Sequence, residues 1–528
     1  MNAGDHAVDA VERDDPADPI QDHALGEGRE LRGNLVSADR TRIEALRARP
    51  WHDKSHDDDL GPARMARLME RPLRYHFSGL AGAGMNPLAQ LMRARGHAVQ
   101  GSDRSFDQGK GAELAARLAG LGIVVKPQDG SAITADLDRF VYSTAVEAET
   151  PEFCAARALG LELVPRPALL AEVVDAGRPG VAIAGTSGKS TITGMLAWIT
   201  REARLPATVL GGAALAGEGV SGCFFPGSAD GPVLAEACES DGTLTGYHPG
   251  IGLIHNISRD HGEVDALRPQ FEAFARHASC LLVSADSADA AAVGRAVQAL
   301  TYGVHPSADA RLEVASVGPD RAVGALRARS GTLSLDVPQP GRHNLDNAAA
   351  AALVALELGI PPRAIEASIA RFPGVARRYE VIGVTGDGIR VVDDYAHNGE
   401  KLRAAITAAQ LGAPRLVAVF QPHGFGPARF LRPELKALLP RLLRAQDRFC
   451  YAEIFYAGGT VAKDVSSRLL AADLPAALRC GYAADHGAVI EWVQSETRAG
   501  DTVLIMGARD PELPALARKV FAALDSPR

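Results

Sequence analysis

Apolar residues along this chain fall into two alternating habits. Short apolar runs, each ending in a polar or glycine-rich tip, are followed by longer stretches in which apolar positions recur at helical spacing. That alternation predicts buried parallel strands joined by crossover helices, an α/β chain. Arg74 to Ser78 is the first strand expected, running into Gly79-Leu80-Ala81-Gly82-Ala83-Gly84 and a helix from Asn86 to about Arg95. H-A-V-Q-G-S-D makes a second strand ending at Asp103, and G-I-V-V-K, Arg139 to Ser143 and L-E-L-V-P continue the series, with a helix from Pro151 to Leu159. Gly177-Arg178-Pro179-Gly180 has the turn chemistry of a linker.

The pattern then restarts. V-A-I-A enters a glycine loop followed by a helix beyond Thr191. P-V-L-A-E-A-C ends in an acidic patch of Glu236, Glu239 and Asp241, and I-G-L-I-H-N-I ends in S-R-D-H, with Asp260 and His261 at its tip. An extended loop from Gln339 leads into an alanine-rich helix carrying Asn344 and Asn347 on one face. A third region opens near Phe372-Pro373-Gly374. Its expected strands are the run after R-R-Y-E, I-R-V-V-D-D, R-L-V-A-V-F, D-R-F-C-Y-A and D-T-V-L-I-M-G, with a final helix to about Ala523. Residues 1–71 show little apolar periodicity and read as a poorly ordered extension with one short helix near Arg42 to Arg49.

Length and charge narrow the picture. A chain of 528 residues suggests three domains, here 72–178, 179–372 and 373–528 after the extension. A net charge of −8 argues against a general nucleic-acid binder. The six cysteines form no C-x-x-C pair, which fits a cytoplasmic protein without a disulfide framework or zinc knuckle. No apolar run is long enough to insert into a membrane, and the N-terminus lacks the order of a signal peptide.

The candidate chemistry centres on G-T-S-G-K-S-T, Gly185 to Thr191. A strand, a loop with Gly185 and Gly188, then Lys189 and two hydroxyl residues at a helix start, is a shortened phosphate loop. Backbone N–H groups and the helix N-terminus receive phosphate, Lys189 reaches the terminal phosphates and Ser190 ligates Mg²⁺. Glu236, just beyond a parallel strand, is a suitable second ligand, and His261 follows another strand at the same sheet edge. From the residues alone, His261 serves equally as a metal ligand or a hydrogen-bonding residue, and Asn344 and Asn347 read a base edge or cap a helix. The turn bearing Gly79, Gly82 and Gly84, with Asp103 at the next strand tip, has the layout of a dinucleotide-binding unit, although its glycines fall as G-x-x-G-x-G.

These stretches resemble the Mur ligases in the family's own order, from about residue 73 to the C-terminus: G-L-A-G-A-G-M-N-P-L-A, V-Y-S-T-A-V-E-A-E-T-P-E, G-T-S-G-K-S-T, E-A-C-E-S-D, N-I-S-R-D-H, G-R-H-N-L-D-N-A-A-A-A, R-R-Y-E, D-D-Y-A-H and F-Q-P-H. The resemblance is greatest to members that join L-alanine to UDP-N-acetylmuramate. It implies a Rossmann-like UDP-binding domain, a central P-loop ATPase-like domain and a C-terminal Rossmann-like amino-acid-binding domain. It also implies that ATP phosphorylates a carboxylate and an amine displaces phosphate from the acyl phosphate, in peptidoglycan precursor synthesis.

Carried over position by position, the resemblance gives Lys189 the β/γ-phosphates, with Gly185, Thr186, Ser187 and Gly188 lining them. Ser190 or Thr191 and Glu236 hold one Mg²⁺, and His261 serves a second metal. His343, Asn344 and Asn347 approach the adenine and phosphates, Arg378 touches phosphate and Asp394 the ribose. Gly79, Gly82, Gly84 and Asp103 belong to the UDP site, with Glu239, His397 and His423 on the substrate side. The implied partners are a UDP-sugar and an amino acid or short peptide, in a monomer or homodimer. Three departures fall in the substrate region: Ser187 where these members carry histidine, Asn398-Gly399 in place of H-P, and Gly424-Phe425-Gly426-Pro427 in place of R-Y-T-R. They leave room for a paralogue, either a ligase recycling a preformed tripeptide or an amide-forming enzyme of specialised metabolism. A nicotinamide oxidoreductase would leave Lys189 and Glu236 without purpose; a non-catalytic nucleotide-binding scaffold is the remaining reading.

Overall fold

The computed structural model describes residues 71–143, 146–218, 223–239, 242–258, 264–456 and 462–526. The extension with its expected helix, Asp260, His261 and Asp241 lie outside the described residues. Among the described residues three sheets form, and no helix is long and apolar enough to cross a membrane.

The first sheet is all parallel, ordered β3-β2-β1-β4-β5, from β1 (Arg74–Ser78), β2 (Ala98–Ser102), β3 (Val124–Lys126), β4 (Arg139–Tyr142) and β5 (Glu162–Pro165). The expected strands are therefore all present. Helix α1 (Met85–Ala94) buries Met85, Leu88, Leu91 and Met92, and α2 (Arg166–Asp175) packs toward the second sheet. Gly79, at φ +92, turns the chain at the tip of β1, where its N–H and that of Leu80 both donate to Ser102 O at 2.9 Å.

The second sheet runs β15-β14-β13-β12-β11-β10-β6-β9-β7-β8. Its centre consists of β6 (Gly180–Ala184), β7 (Thr208–Gly211), β9 (Val233–Glu236), β10 (Ile251–Ile254), β11 (Cys280–Ser284) and β12 (Leu300–Gly303), all parallel. At one edge lies the antiparallel strand β8 (Cys223–Phe225); at the other, β13 (Ala310–Val317), β14 (Ala322–Ala328) and β15 (Gly331–Val337) form an antiparallel meander. Helix α3 (Lys189–Glu202) follows β6, starting three residues before the helix expected beyond Thr191. It packs against α4 (Arg342–Glu357), whose alanines from 348 to 352 are fully buried. The small side chains let the two helix backbones approach closely, which accounts for the alanine-rich composition.

The third sheet, β16-β17-β21-β18-β19-β20, is parallel apart from its first strand. It contains β16 (Glu380–Val384), β17 (Arg390–Asp394), β18 (Leu416–Gln421), β19 (Arg448–Ala452), β20 (Cys480–Ala483) and β21 (Thr502–Gly507). Helices α5 (Gly399–Gln410), α6 (Phe425–Leu442) and α7 (Leu513–Asp525) cover it. In each sheet the C-terminal ends of parallel strands carry the loops on which the candidate residues lie, as open α/β sheets require of a binding edge.

Candidate active site

Lys189 stands at the first position of α3, immediately after Gly188 in the left-handed region at φ +85. Its ammonium lies 2.7 Å from Glu239 Oε2 and also contacts Gly185 O. Glu239 is 2% exposed. Burial alone would lower the Lys189 pKa, but the charges of Glu239, Cys238 and Glu236 more than offset it and hold the amine protonated.

The neighbouring Ser190 hydroxyl donates to Glu236 Oε2 at 3.0 Å and receives Arg378 Nη2 at 3.3 Å. Glu236 Oε1 accepts the Gly212 N–H at 2.6 Å. A hydroxyl, a carboxylate and a guanidinium contributed by β6–α3, β9 and the segment before β16 thus meet at one point. Hard oxygen donors of this kind suit magnesium, which takes one or two protein ligands and completes its shell with phosphate oxygens and water. No group of three or more His, Cys, Asp or Glu able to hold a metal occurs among the described residues, so a cation here would depend on those phosphate oxygens.

The loop itself is braced by the tip of β10. Asn256 Oδ1 accepts from Thr186 Oγ1 at 3.0 Å and from Ser187 N at 2.8 Å, while Ser258 N donates to Thr186 Oγ1 at 3.0 Å. Ser258 Oγ reaches on to Glu400 at the start of α5, a direct link between the phosphate loop's support and the third sheet. Asn256 and Ser258 escaped notice as functional positions, although both stand in N-I-S-R-D-H, just past a buried strand. His261, in the same N-I-S-R-D-H stretch of sequence, lies outside the described residues.

On the far side, Gly188 abuts Asn347: an added Cβ would come within 2.6 Å of Asn347 Oδ1 and 2.8 Å of His255 Cδ2. Asn347 is 3% exposed and its Oδ1 has no hydrogen-bond partner. Asn344 Nδ2 donates to Pro340 O at 2.8 Å and so secures the start of α4. His255 Nδ1 is 2.6 Å from the Tyr302 hydroxyl. Burial depresses the pKa of His255 to about 4, with the charge of His343 adding to it, and depresses that of His343 to about 4. Both rings are neutral near pH 7, which suits a face for an uncharged base rather than for phosphate.

Arg378 stacks 4.9 Å over Tyr395, and Arg377 covers the same ring at 4.9 Å. Asp394 accepts from Tyr379 N and Ala396 N, both at 2.7 Å; burial raises its pKa against the opposing charge of Arg378. Its carboxylate therefore also orders the loop that presents Arg378. His397 Nδ1 donates to Tyr395 O at 2.8 Å, which leaves Nε2 facing Lys401 Nζ at 3.3 Å, and the His397 and His423 rings lie 5.5 Å apart. The departures have local roles. Asn398 caps α5 by accepting Lys401 N at 3.0 Å, and Gly424 adopts φ +68 before α6. Arg429 is drawn to Asp464, and the buried Ser187 hydroxyl has no partner.

Between the first and second sheets lies a cavity of about 590 Å³. Gly79, Gly82, Gly84 and Asp103 line one wall; Leu210, Gly212, Glu236 and Cys238 line the other. Asp103 is turned inward on the turn, accepting Ala81 N at 2.9 Å and Ser105 N at 2.9 Å.

A glycine-turn domain facing a phosphate-loop domain across a shared cavity, with a third α/β sheet presenting an arginine to the loop, defines a nucleotide-dependent ligase of three α/β units. Residues 74–178 match the Mur ligase family catalytic domain, and 377–509 match the Mur ligase glutamate ligase domain. The chain belongs to the Mur ligase family and is an ATP-dependent ligase. It is 36% identical over 470 residues to a UDP-N-acetylmuramate–L-alanine ligase of Kineococcus radiotolerans, an alignment covering 85% of this chain and 95% of that one. It is 37% identical over 458 residues to the enzyme of the same name from an Arthrobacter species, covering 84% and 94%. Its fold is shared with UDP-N-acetylmuramate-alanine ligase from Thermotoga maritima, at 23% identity and a TM-score of 0.69, covering 86% and 99%.

Proposed function

We propose that this chain joins L-alanine to UDP-N-acetylmuramate at the expense of ATP, in the assembly of peptidoglycan precursors in the cytoplasm. One observation carries the reading: Glu236 belongs to two sites at once, hydrogen-bonded to Ser190 of the phosphate loop and lining the cavity beneath the glycine turn. An acyl donor in that cavity would present its carboxylate to the γ-phosphate at this carboxylate's position. Residues 72–178 then hold the UDP-sugar, 179–372 the ATP, and 373–528 the amino acid.

In the first step a substrate carboxylate oxygen bonds to the γ-phosphorus as the bond to the bridging oxygen breaks, releasing ADP. Two anions approach, so the chain must supply positive charge: Lys189 at the phosphates and Arg378, held against Tyr395, from the third sheet. Mg²⁺ held by Ser190 or Thr191 and Glu236, with His261 serving a second metal, would screen the phosphate oxygens. In the second step the amine attacks the acyl carbon, and the tetrahedral intermediate collapses to amide and inorganic phosphate. His397 donates through Nδ1–H to Tyr395 O, so Nε2, 3.3 Å from Lys401 Nζ, is the nitrogen that would take up the proton the amine loses, with the His423 ring 5.5 Å away. The frequent resemblance to L-alanine-adding enzymes at more than 30% identity supports alanine as the amine.

The test is phosphate release across a panel of UDP-sugars and amines. Release with UDP-N-acetylmuramate and L-alanine is the expected result. Preference for L-alanyl-γ-D-glutamyl-diaminopimelate would shift the assignment to a recycling ligase, and nucleotide binding without release would leave a scaffold.

A further inference from the structure

The chain passes from the second sheet to the third through residues 374–379, and the two halves of this crossing are tied to different sheets. Ala216 N donates to Gly374 O at 3.0 Å and Ala376 N to Ala214 O at 2.9 Å. Val375, 1% exposed, lies so close over α3 that a Cβ added to Gly194 would stand 2.5 Å from its Cγ2. From Arg377 onward the partners belong to the third sheet: Arg377 O accepts from Tyr395 N at 2.7 Å, and Tyr379 N donates to Asp394 Oδ2 at 2.7 Å. Arg378 stands at the join, and its guanidinium is the one that reaches back to Ser190.

Both neighbours of Arg378 are left-handed, with φ +60 at Arg377 and +52 at Tyr379. Residues with a Cβ rarely adopt that region, and they keep it only where their surroundings hold them there. Tyr379 is held through its N–H on Asp394. Arg377 is held by its own side chain, which is turned into the third sheet and 17% exposed. Its Nε lies 3.2 Å from Oδ2 of the fully buried Asp393 on β17, and its Nη2 donates to Gly507 O at the end of the adjacent β21 at 2.9 Å. The same guanidinium lies 4.9 Å from the centre of the Tyr395 ring, on which Arg378 also stacks. A planar fork can meet a carboxylate, a carbonyl and a ring face at once, which a lysine ammonium cannot. Asp393 Oδ1 has no partner, so the arginine is the group that keeps this buried carboxyl company. One arginine of the pair is thus committed to the third sheet, and the other is presented to the phosphate loop.

We propose that Arg377 is a positioning residue for phosphoryl transfer: anchored on Asp393, Gly507 and Tyr395, it fixes the left-handed backbone that aims Arg378 at the phosphate loop. This rests on Arg378 acting at the phosphates, as in the function proposed above. The test is a double-variant cycle on the full chain, read as phosphate release with the UDP-sugar and amine that wild type turns over, alongside calorimetric ATP affinity and melting temperature. R378Q should lower kcat about a hundredfold. R377K keeps a cation beside Asp393 but loses the fork; it should lower kcat about tenfold and leave ATP affinity within about twofold of wild type, since Lys189 and the loop still hold the nucleotide. In the R378Q background the same change should cost less than about twofold, because no guanidinium remains to be aimed. R377K with wild-type kcat, or a loss that persists undiminished in the R378Q background, would overturn the role of Arg377 and leave the ligase reading standing. R378Q with wild-type kcat would overturn the placement of Arg378 at the phosphates and this inference together. Should R377K fail to fold, D393N decides: it removes the charge that holds the fork, should lower kcat a few-fold, and should have no effect once Arg378 is gone; unchanged kcat in D393N alone would overturn the inference.

Discussion

Ser190 Oγ and Glu236 Oε2, 46 residues apart, lie 3.0 Å from each other because β6 and β9 are adjacent parallel strands in register from Gly180 to Ile183. The hydroxyl begins the helix after one strand; the carboxylate ends the other. Sheet adjacency thus brings the two proposed cation ligands together without any local sequence motif joining them.

That relationship predicts the behaviour of E236Q. The amide keeps an oxygen for the Gly212 N–H, so the fold and melting temperature should stay close to wild type, while the lost charge removes the anionic ligand. We expect kcat to fall about a hundredfold or more and the magnesium concentration needed for half-maximal rate to rise. Phosphate release measured against magnesium checks both, and wild-type magnesium dependence would contradict the site.

Lys189 and Glu239 form a buried pair, their side chains 13% and 1% exposed. K189A should abolish ligation, because nothing else in the loop brings a cation to the phosphates, and should destabilise the protein by about 3–5 kcal/mol by leaving Glu239 unpaired. K189A/E239Q separates the two effects: stability returns while activity does not. Denaturant unfolding and single-turnover phosphate release distinguish the outcomes, and a double variant with restored turnover would remove Lys189 from the chemistry.

Most of the strands were legible because each buried parallel strand is a short apolar run with a polar tip, as at V-A-I-A before Gly185 and P-V-L-A-E before Cys238. β7, β11, β12 and β20 were not, nor was the meander Ala310–Val337, whose strands alternate buried and exposed residues in place of a continuous apolar run. Lys189, Ser190, Glu236 and Glu239 could be proposed together because strand ends of one parallel sheet share an edge. Asn256, Ser258 and Glu400 make their contacts across distant loops, and periodicity contains no signal for these. Asn398 and Gly424 read as departures in a substrate pocket; the structure adds that one caps a helix and the other supplies a left-handed turn, roles that only backbone geometry reveals.

His255 should make the protein acid-sensitive. Its folded pKa is about 4 against 6.5 for a free imidazole, so between these values the unfolded chain binds a proton that the folded chain does not. Its contribution is complete above pH 6.5 and is lost as pH falls toward 4, on the order of 3 kcal/mol. His343 acts in the same sense, whereas Asp346 and Asp393, raised to about 6 mainly by burial, act oppositely. The comparison of H255Q with wild type isolates the one residue: glutamine retains a partner for the Tyr302 hydroxyl, and the stability difference between the two proteins should shift toward the variant as pH drops from 6.5 to 4. A difference independent of pH would show that His255 is charged in the folded state.

Gly188 gives the most stringent test of how the nucleotide loop is packed. Its φ of +85 is strained for any residue with a Cβ, and that atom would meet Asn347 Oδ1 at 2.6 Å and the His255 ring at 2.8 Å and 3.1 Å. G188A must therefore shift the loop or push Asn347 and His255 aside, and each disturbs the start of α3, where phosphate N–H donors have to be aligned. The backbone term alone costs about 1–3 kcal/mol, and the KM for ATP should rise by roughly a hundredfold once loop displacement is included. G188A with wild-type KM would mean that this loop does not hold the nucleotide.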